Sequence, residues 1–255
     1  MTLPDAVFPC AQLVEKGDPD RFRTVMAAPM SARLRLFPLY AFNIEVARAP
    51  WVTQEAMIAE MRLQWWRDAL EEVADGRSVR KHEVTTPLAG VLSPAMARCL
   101  DEAVAARRWD IYKDPFEDEA HLLGYLNQTS GHLMWTAAQV LGAPQGQEAA
   151  VRSVAVAGGL ASFLRAVPQL EASKRIPLVD GTHDGIMDLA RRIKDAVARP
   201  SLPASAKPAL WPAIGAVRLL NDVTRDPGSV ADGRLAPPLT PWRLGMSVLS
   251  GRVVL

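Results

Sequence analysis

Residues 40–51 read YAFNIEVARAPW. Tyr40, Ala41, Phe42, Ile44, Val46 and Ala47 leave almost no polar face, the pattern of a helix in the middle of a core. Asn43, Glu45 and Arg48 interrupt it with an amide, an acid and a base. Pro50 disfavours the helical region for Ala49, so the helix is expected to stop near Arg48. The surroundings of this segment must either satisfy three polar side chains in apolar company or use them.

Helical periodicity continues on both sides, and no run of alternating β-branched residues reads as a strand. A first helix is expected over 18–28, closed by Pro29, with Ser31 placed to cap the next. Thr53 is placed to cap the helix QEAMIAEMRLQWWRDALEEVAD, with Val52 and Met57 as a hydrophobic staple and Gly76 as its end. Further helices are expected from Pro87, over 94–109, 117–141, 147 to about 167, 185–198 and 208–223. Between the fourth and fifth of these lies a loop, EASKRIPLVDGTHDG. The 20 prolines fall mostly between these segments. The expectation is one all-α domain over residues 1–255.

The helix after Thr53 sorts by face. Met61, Trp65, Ile58, Ala69, Val73, Trp66, Leu70 and Leu63 fill one broad arc, and Arg62 falls in the middle of it. An unpaired buried guanidinium costs several kcal/mol, so Arg62 calls for a partner or a cavity. Glu45 on the preceding helix is the nearest acid with the same need. An ion pair locking two helices and a ligand pocket lined by both remain open as readings.

Composition narrows the partners. Of 255 residues, 49% are hydrophobic and 22% charged, an ordinary globular balance. A formal net charge of +1 selects neither nucleic acid nor anionic membrane. Cys10 and Cys99 are far apart, which suits neither a disulfide framework nor a metal site and fits a reducing cytosol. The start, MTLPDAVFPC, does not read as a signal peptide. The longest uncharged stretch, 153–164, is short for a span of about 20 residues. A cytoplasmic chain is expected, in at most peripheral contact with the inner face of a membrane. Histidines 82, 121, 132 and 183 show no paired spacing for a metal.

The blocks RLRLFPLYAFNIEVAR, EMRLQWWRDALEEV, TTPLAGVL, ARRWDIY, YLNQTSGHLMWTAAQVLG and GGLASFLRAVPQLEASKRIPL stand in an order that resembles the squalene/phytoene synthase family. The resemblance covers about residues 18–250. It implies the isoprenoid synthase fold, with helices around a central cavity. Active members join two prenyl diphosphates head to head with magnesium, held by acids one helical turn apart on two facing helices.

Carried over residue by residue, the first acid motif falls on Ala47, Arg48 and Trp51, and the second on Ala166, Gln169 and Leu170. The resemblance therefore implies a catalytically degenerate member, with no catalytic residue, no metal ligand and no cofactor. Magnesium is expected only if prenyl transfer survives at an unorthodox site. The pattern AFN-E-A with MR-Q-W, at Met61, Arg62, Gln64 and Trp65, is similar to the non-catalytic branch that includes an assembly factor for respiratory complex I. That branch implies a protein partner, a respiratory-complex subunit being the candidate. A carrier that holds a prenyl or other lipid chain is the competing reading. Tyr40, Asn43, Glu45, Arg48, Arg62, Asp110 and Arg165 are the candidate polar residues of the cavity. Asp110 is open between a salt bridge to a cavity arginine and a surface or ligand role. The C-terminal PWRLGMSVLSGRVVL is open between a docked tail and a membrane anchor.

Overall fold

A computed structural model describes residues 3–253, and among them there are helices and no strand. In chain order they are α1 (Phe8–Gly17), α2 (Pro19–Ala27), α3 (Met30–Arg48), α4 (Ala56–Ala74), α5 (Thr85–Ala89), α6 (Pro94–Ala106), α7 (Glu119–Leu126), α8 (His132–Val140), α9 (Glu148–Ala172), α10 (His183–Asp195), α11 (Ala216–Arg225), α12 (Gly228–Ala231) and α13 (Pro241–Ser250). The all-α expectation is met, and most boundaries fall within a few residues of those read from the sequence.

α3 is the central apolar helix. Leu36, Phe37, Leu39, Tyr40, Ala41 and Phe42 are all buried, and α1, α2, α5 and α8 pack around it. It ends at Arg48, although Ala49 before Pro50 keeps helical dihedrals, φ −53° and ψ −41°, contrary to the expected extended conformation. Pro38 lies in its interior and removes one intrahelical donor without ending the helix. α4 pairs chiefly with α6. Ser93 caps α6 by accepting from the Met96 amide at 3.3 Å. Pro94 occupies its first turn, where its missing N–H costs nothing.

α7 and α8 form one rod joined by a π turn, Asn127–Gly131. Thr129 donates its hydroxyl to the Tyr125 carbonyl at 2.7 Å inside that turn. α9 runs 25 residues and packs against the π turn, α8, α10, α11 and the 3-10 turn Lys207–Ala213. Gly159 permits this closeness, since a Cβ there would lie 2.6 Å from Ser130 Oγ. The stretch 145–172 is long and apolar enough to cross a bilayer by length and composition, but half of its apolar window is buried inside the protein. It serves here as a core helix.

Four expectations need correction. Ser31 is not a cap: it lies inside α3, whose N-cap is Pro29 with no side-chain cap bond. Thr53 does not cap α4; its hydroxyl accepts from the Glu55 amide at 3.1 Å in the turn before the helix, which starts at Ala56. Val52 and Met57 are both exposed rather than stapled into the core. Of the apolar arc of α4, only Leu63, Trp66, Ala69 and Leu70 are buried, with Ala59 beside them. Its first turns overhang the body, leaving Met57 and Met61 75% and 66% exposed.

Candidate functional site

The turn after α3, the start of α4, the segment after α6 and the segment after α9 converge at one end of the bundle. Arg175 joins three of them. Its guanidinium is buried, lies 4.6 Å from the Trp51 ring centroid and 5.9 Å from that of Trp109. It donates to the carbonyl of Asp110 at 2.5 Å and of Tyr112 at 2.9 Å. Two planar faces and two carbonyls hold this cation without a carboxylate. Its Nε and Trp109 Nε1 find no acceptor within the protein.

Beneath Arg175 sits a second polar group. Asp110 is 4% exposed. Its carboxylate accepts from Arg107 Nη1 at 3.0 Å and from the Tyr125 hydroxyl at 2.9 Å. Arg107 also donates to the Tyr125 oxygen at 2.8 Å, closing the triangle. Burial pushes the Tyr125 phenol well above its usual range, so it remains a donor to Asp110 at any ordinary pH. Aromatic rings fill the space around it: Trp109 stacks on Phe116 at 3.9 Å, and Phe116 meets Tyr125 and, from α9, Phe163.

Of the residues nominated from the sequence, only some are brought together. Asp110 takes the salt-bridge role, with Arg107. Tyr40 is buried, with Arg21 4.9 Å from its ring centroid, and burial raises its phenol pKa to about 12. Asn43 is half-buried. Glu45 and Arg62 do not meet. Glu45 pairs with Arg48 at 2.7 Å, one turn along α3. Arg62 is exposed on the overhanging start of α4, and Arg165 is exposed on α9. The Glu45–Arg62 pair is therefore corrected: a local cation satisfies the acid, and solvent satisfies the guanidinium.

A local pair of this kind, one turn apart with its arginine half-exposed, contributes about 0.3–0.5 kcal/mol. In denaturant unfolding, a double-mutant cycle on Glu45→Gln and Arg48→Met is expected to show coupling of that small size. The cycle on Glu45→Gln and Arg62→Met is expected to be additive. A strong Glu45–Arg62 coupling would contradict this placement.

The sequence reading missed Arg175, Arg107 and Tyr125. It also missed a cluster on the other side of α6, where Cys99 Sγ lies 2.9 Å from His132 Nδ1, and Arg152 Nη1 lies 3.1 Å from the same nitrogen. Burial and the nearby Arg152 charge push the His132 pKa down.

The segments joined here also expose large apolar side chains. Trp51, Val52, Met57, Met61, Tyr112 and Ile176 are exposed. The contacts of Arg175 with Trp51 and Tyr112, and of the Tyr112 hydroxyl with Glu60 at 3.2 Å, tie their segments together. Glu60 also pairs with Arg108 at 2.9 Å. Arg62 and Lys174 stand beside the patch in sequence and are exposed.

Magnesium, which the fold implies in active synthases, needs several oxygen ligands in an octahedral array. The positions onto which the resemblance carries those ligands hold Ala47, Arg48, Trp51, Ala166, Gln169 and Leu170. None is a carboxylate, and Glu45 is engaged by Arg48. Among the described residues, no group of three or more His, Cys, Asp or Glu is placed to hold a metal ion. These residues do not fit the metal.

Known proteins place the chain. The fold superposes on a dehydrosqualene synthase solved in complex with ligand, with a TM-score of 0.73 and 14% identity over 96% of this chain and 94% of that one. A squalene synthase from Alicyclobacillus acidocaldarius gives 0.71 and 15% over 86% and 93%. In sequence, an NADH dehydrogenase (ubiquinone) complex I assembly factor 6 homolog from Drosophila melanogaster is 30% identical over 166 residues, 62% of this chain and 50% of the relative. The Homo sapiens assembly factor 6 is 23% identical over 180 residues, 66% and 51%. The chain thus spans about half the length of these curated relatives. The profile of the squalene/phytoene synthase family matches residues 14–179. On that match, and on the fold it accompanies, the chain belongs to the squalene/phytoene synthase family.

Proposed function

We propose that this chain is a catalytically degenerate member of its family that acts as an assembly factor for a respiratory complex of the complex I type. The observation that carries the proposal is the exchange of chemistry at the converging end of the bundle. Where an active synthase needs carboxylates for metal, this chain has Trp51 over a buried arginine, with large apolar side chains exposed on the adjoining segments. A site built this way has lost the means to ionise a diphosphate. It has gained the features of a protein contact: exposed Trp, Tyr and Met with arginine at the edge. The names of the relatives supply the partner class, a subunit or assembly intermediate of NADH dehydrogenase.

Cells of the source organism lacking this chain are expected to accumulate less assembled complex, and their membranes to oxidise NADH more slowly. The wild-type chain should restore both. Undiminished complex would defeat the proposal. Release of diphosphate by the purified chain from farnesyl diphosphate and magnesium would favour the transferase reading in its place.

A further inference from the structure

A second polar cluster lies where α6, α8 and α9 pack together. Cys99 and Glu102 stand one turn apart on α6, and His132 and Thr136 one turn apart on α8, so each pair shares a face. α9 adds Arg152. Gly131 in the π turn admits its guanidinium: a Cβ there would lie 3.3 Å from Arg152 Nη1 and 2.5 Å from Asn127 Oδ1. Glu148 accepts from Arg152 Nε at 2.7 Å, and Asn127 Oδ1 accepts from Nη1 at 3.4 Å.

The donors and acceptors follow from the partners. His132 Nδ1 lies 2.9 Å from the Cys99 sulfur and 3.1 Å from Arg152 Nη1. Arginine can only donate, so Nδ1 is the acceptor and the ring proton sits on Nε2. There Glu102 Oε2 is 3.1 Å away, off the line of a hydrogen bond. Arg152 Nη2 is 3.9 Å from the sulfur. Thr136 is wholly buried and its hydroxyl makes no hydrogen bond; it lies on the sulfur side, where it favours a negative charge. Cys99 is only partly buried, so a small solute reaches it. An accessible thiol, a base and two donors meet at one atom.

We infer that Cys99 is a site of reaction with hydroperoxides, oxidised to a sulfenic acid with His132 as proton relay and with Arg152 and Thr136 holding the oxygens. The sulfur lone pair attacks one peroxide oxygen, and the S–O bond forms as the O–O bond breaks. The thiol proton passes through Nδ1 to the departing oxygen, which leaves as water. Sulfur gives up two electrons and the peroxide takes them, so thiol and hydrogen peroxide become sulfenic acid and water. Negative charge develops on the oxygens on the way, which a guanidinium and an unused hydroxyl suit. Acyl transfer fits less well: Cys99 lies inside α6, where its own amide is bonded along the helix and supplies no oxyanion donor. Cys10, the other cysteine, is fully buried with its thiol on the Glu83 carbonyl, so reduction of the sulfenic acid falls to an external thiol. The inference is independent of the assembly role.

Protonation agrees with a relay. Burial holds the Cys99 thiol above its usual range against the pull of Arg152. Burial and Arg152 push His132 down, against Glu102 from α6 and Glu148 from α9. At neutral pH the pair is therefore a thiol and a neutral imidazole, the forms that base-assisted attack needs.

The test treats the full chain with hydrogen peroxide and dimedone, which traps sulfenic acids, and reads the adducts by peptide mass spectrometry. Cys99 is expected to be trapped about tenfold or more faster than free cysteine at neutral pH, and Cys10 not to be trapped. Between the two shifted pKa values the Cys99 rate should be nearly flat with pH. In His132→Gln it should fall about tenfold or more and should climb about tenfold per pH unit, as an unassisted thiolate does. Thr136→Val removes a hydroxyl without a partner, so the thermal melt should hold while the rate falls about fivefold. Trapping of Cys99 no faster than free cysteine would overturn the inference, as would an unchanged rate in either variant. A wild-type rate that climbs about tenfold per pH unit across that range would overturn it too, even where His132→Gln fails to fold.

Discussion

Asp110→Ala is expected to cost about 3–5 kcal/mol of folding stability in denaturant unfolding. The aspartate is almost fully buried and neutralises Arg107, whose side chain is about one-fifth exposed. Removing the carboxylate leaves that guanidinium, and the Tyr125 hydroxyl, short of an acceptor in a region filled by Trp109, Phe116 and Phe163. The loss falls on groups that cannot turn to water without opening the helix ends. Arg107→Met in the Asp110→Ala background should restore part of the stability, because it removes the stranded charge. Asp110→Asn, which keeps an acceptor oxygen, should cost less than Asp110→Ala. A loss below about 1 kcal/mol for the alanine variant would mean that the triangle is not a structural anchor.

This anchor also explains how far the sequence could be read. Long periodic segments were legible because a helix needs only its own pattern, and Pro50 marked the end of α3 without ambiguity. Asp110 was legible only as a candidate, open between a salt bridge to an arginine and a surface or ligand role. Arg175 was not. It lies in a segment without periodicity, and two of its partners are backbone carbonyls 65 and 63 residues away, Asp110 and Tyr112. Every residue carries a carbonyl, so no side-chain pattern announces that contact.

Arg62 failed for a different reason. Periodicity tells which face of α4 is apolar but not how much of that face another element covers, and the first turns of α4 leave Met57, Ile58 and Met61 exposed. Glu45 failed because a cation one turn away, Arg48, was overlooked in favour of one on the next helix. The π turn at 127–131 carries no distinct sequence signal, so α7 and α8 read as one helix.

The exposed start of α4 leads to the second large effect. If the converging end of the bundle grips a partner, Met57 and Met61 are its most protruding apolar side chains. Placing a carboxylate at each sets two charges against an apolar contact. Each anchoring residue of such a contact is worth more than about 1 kcal/mol, and two together exceed tenfold in affinity. The fold should tolerate the change, since neither side chain belongs to the core.

The most direct measurement is therefore the amount of fully assembled complex I in cells that lack the native chain and carry Met57→Asp with Met61→Asp. The variant protein is expected to accumulate to the wild-type level and to melt at the wild-type temperature. Assembled complex should nevertheless stay about tenfold below that of wild-type complementation. Full recovery of the complex by this variant would contradict the account.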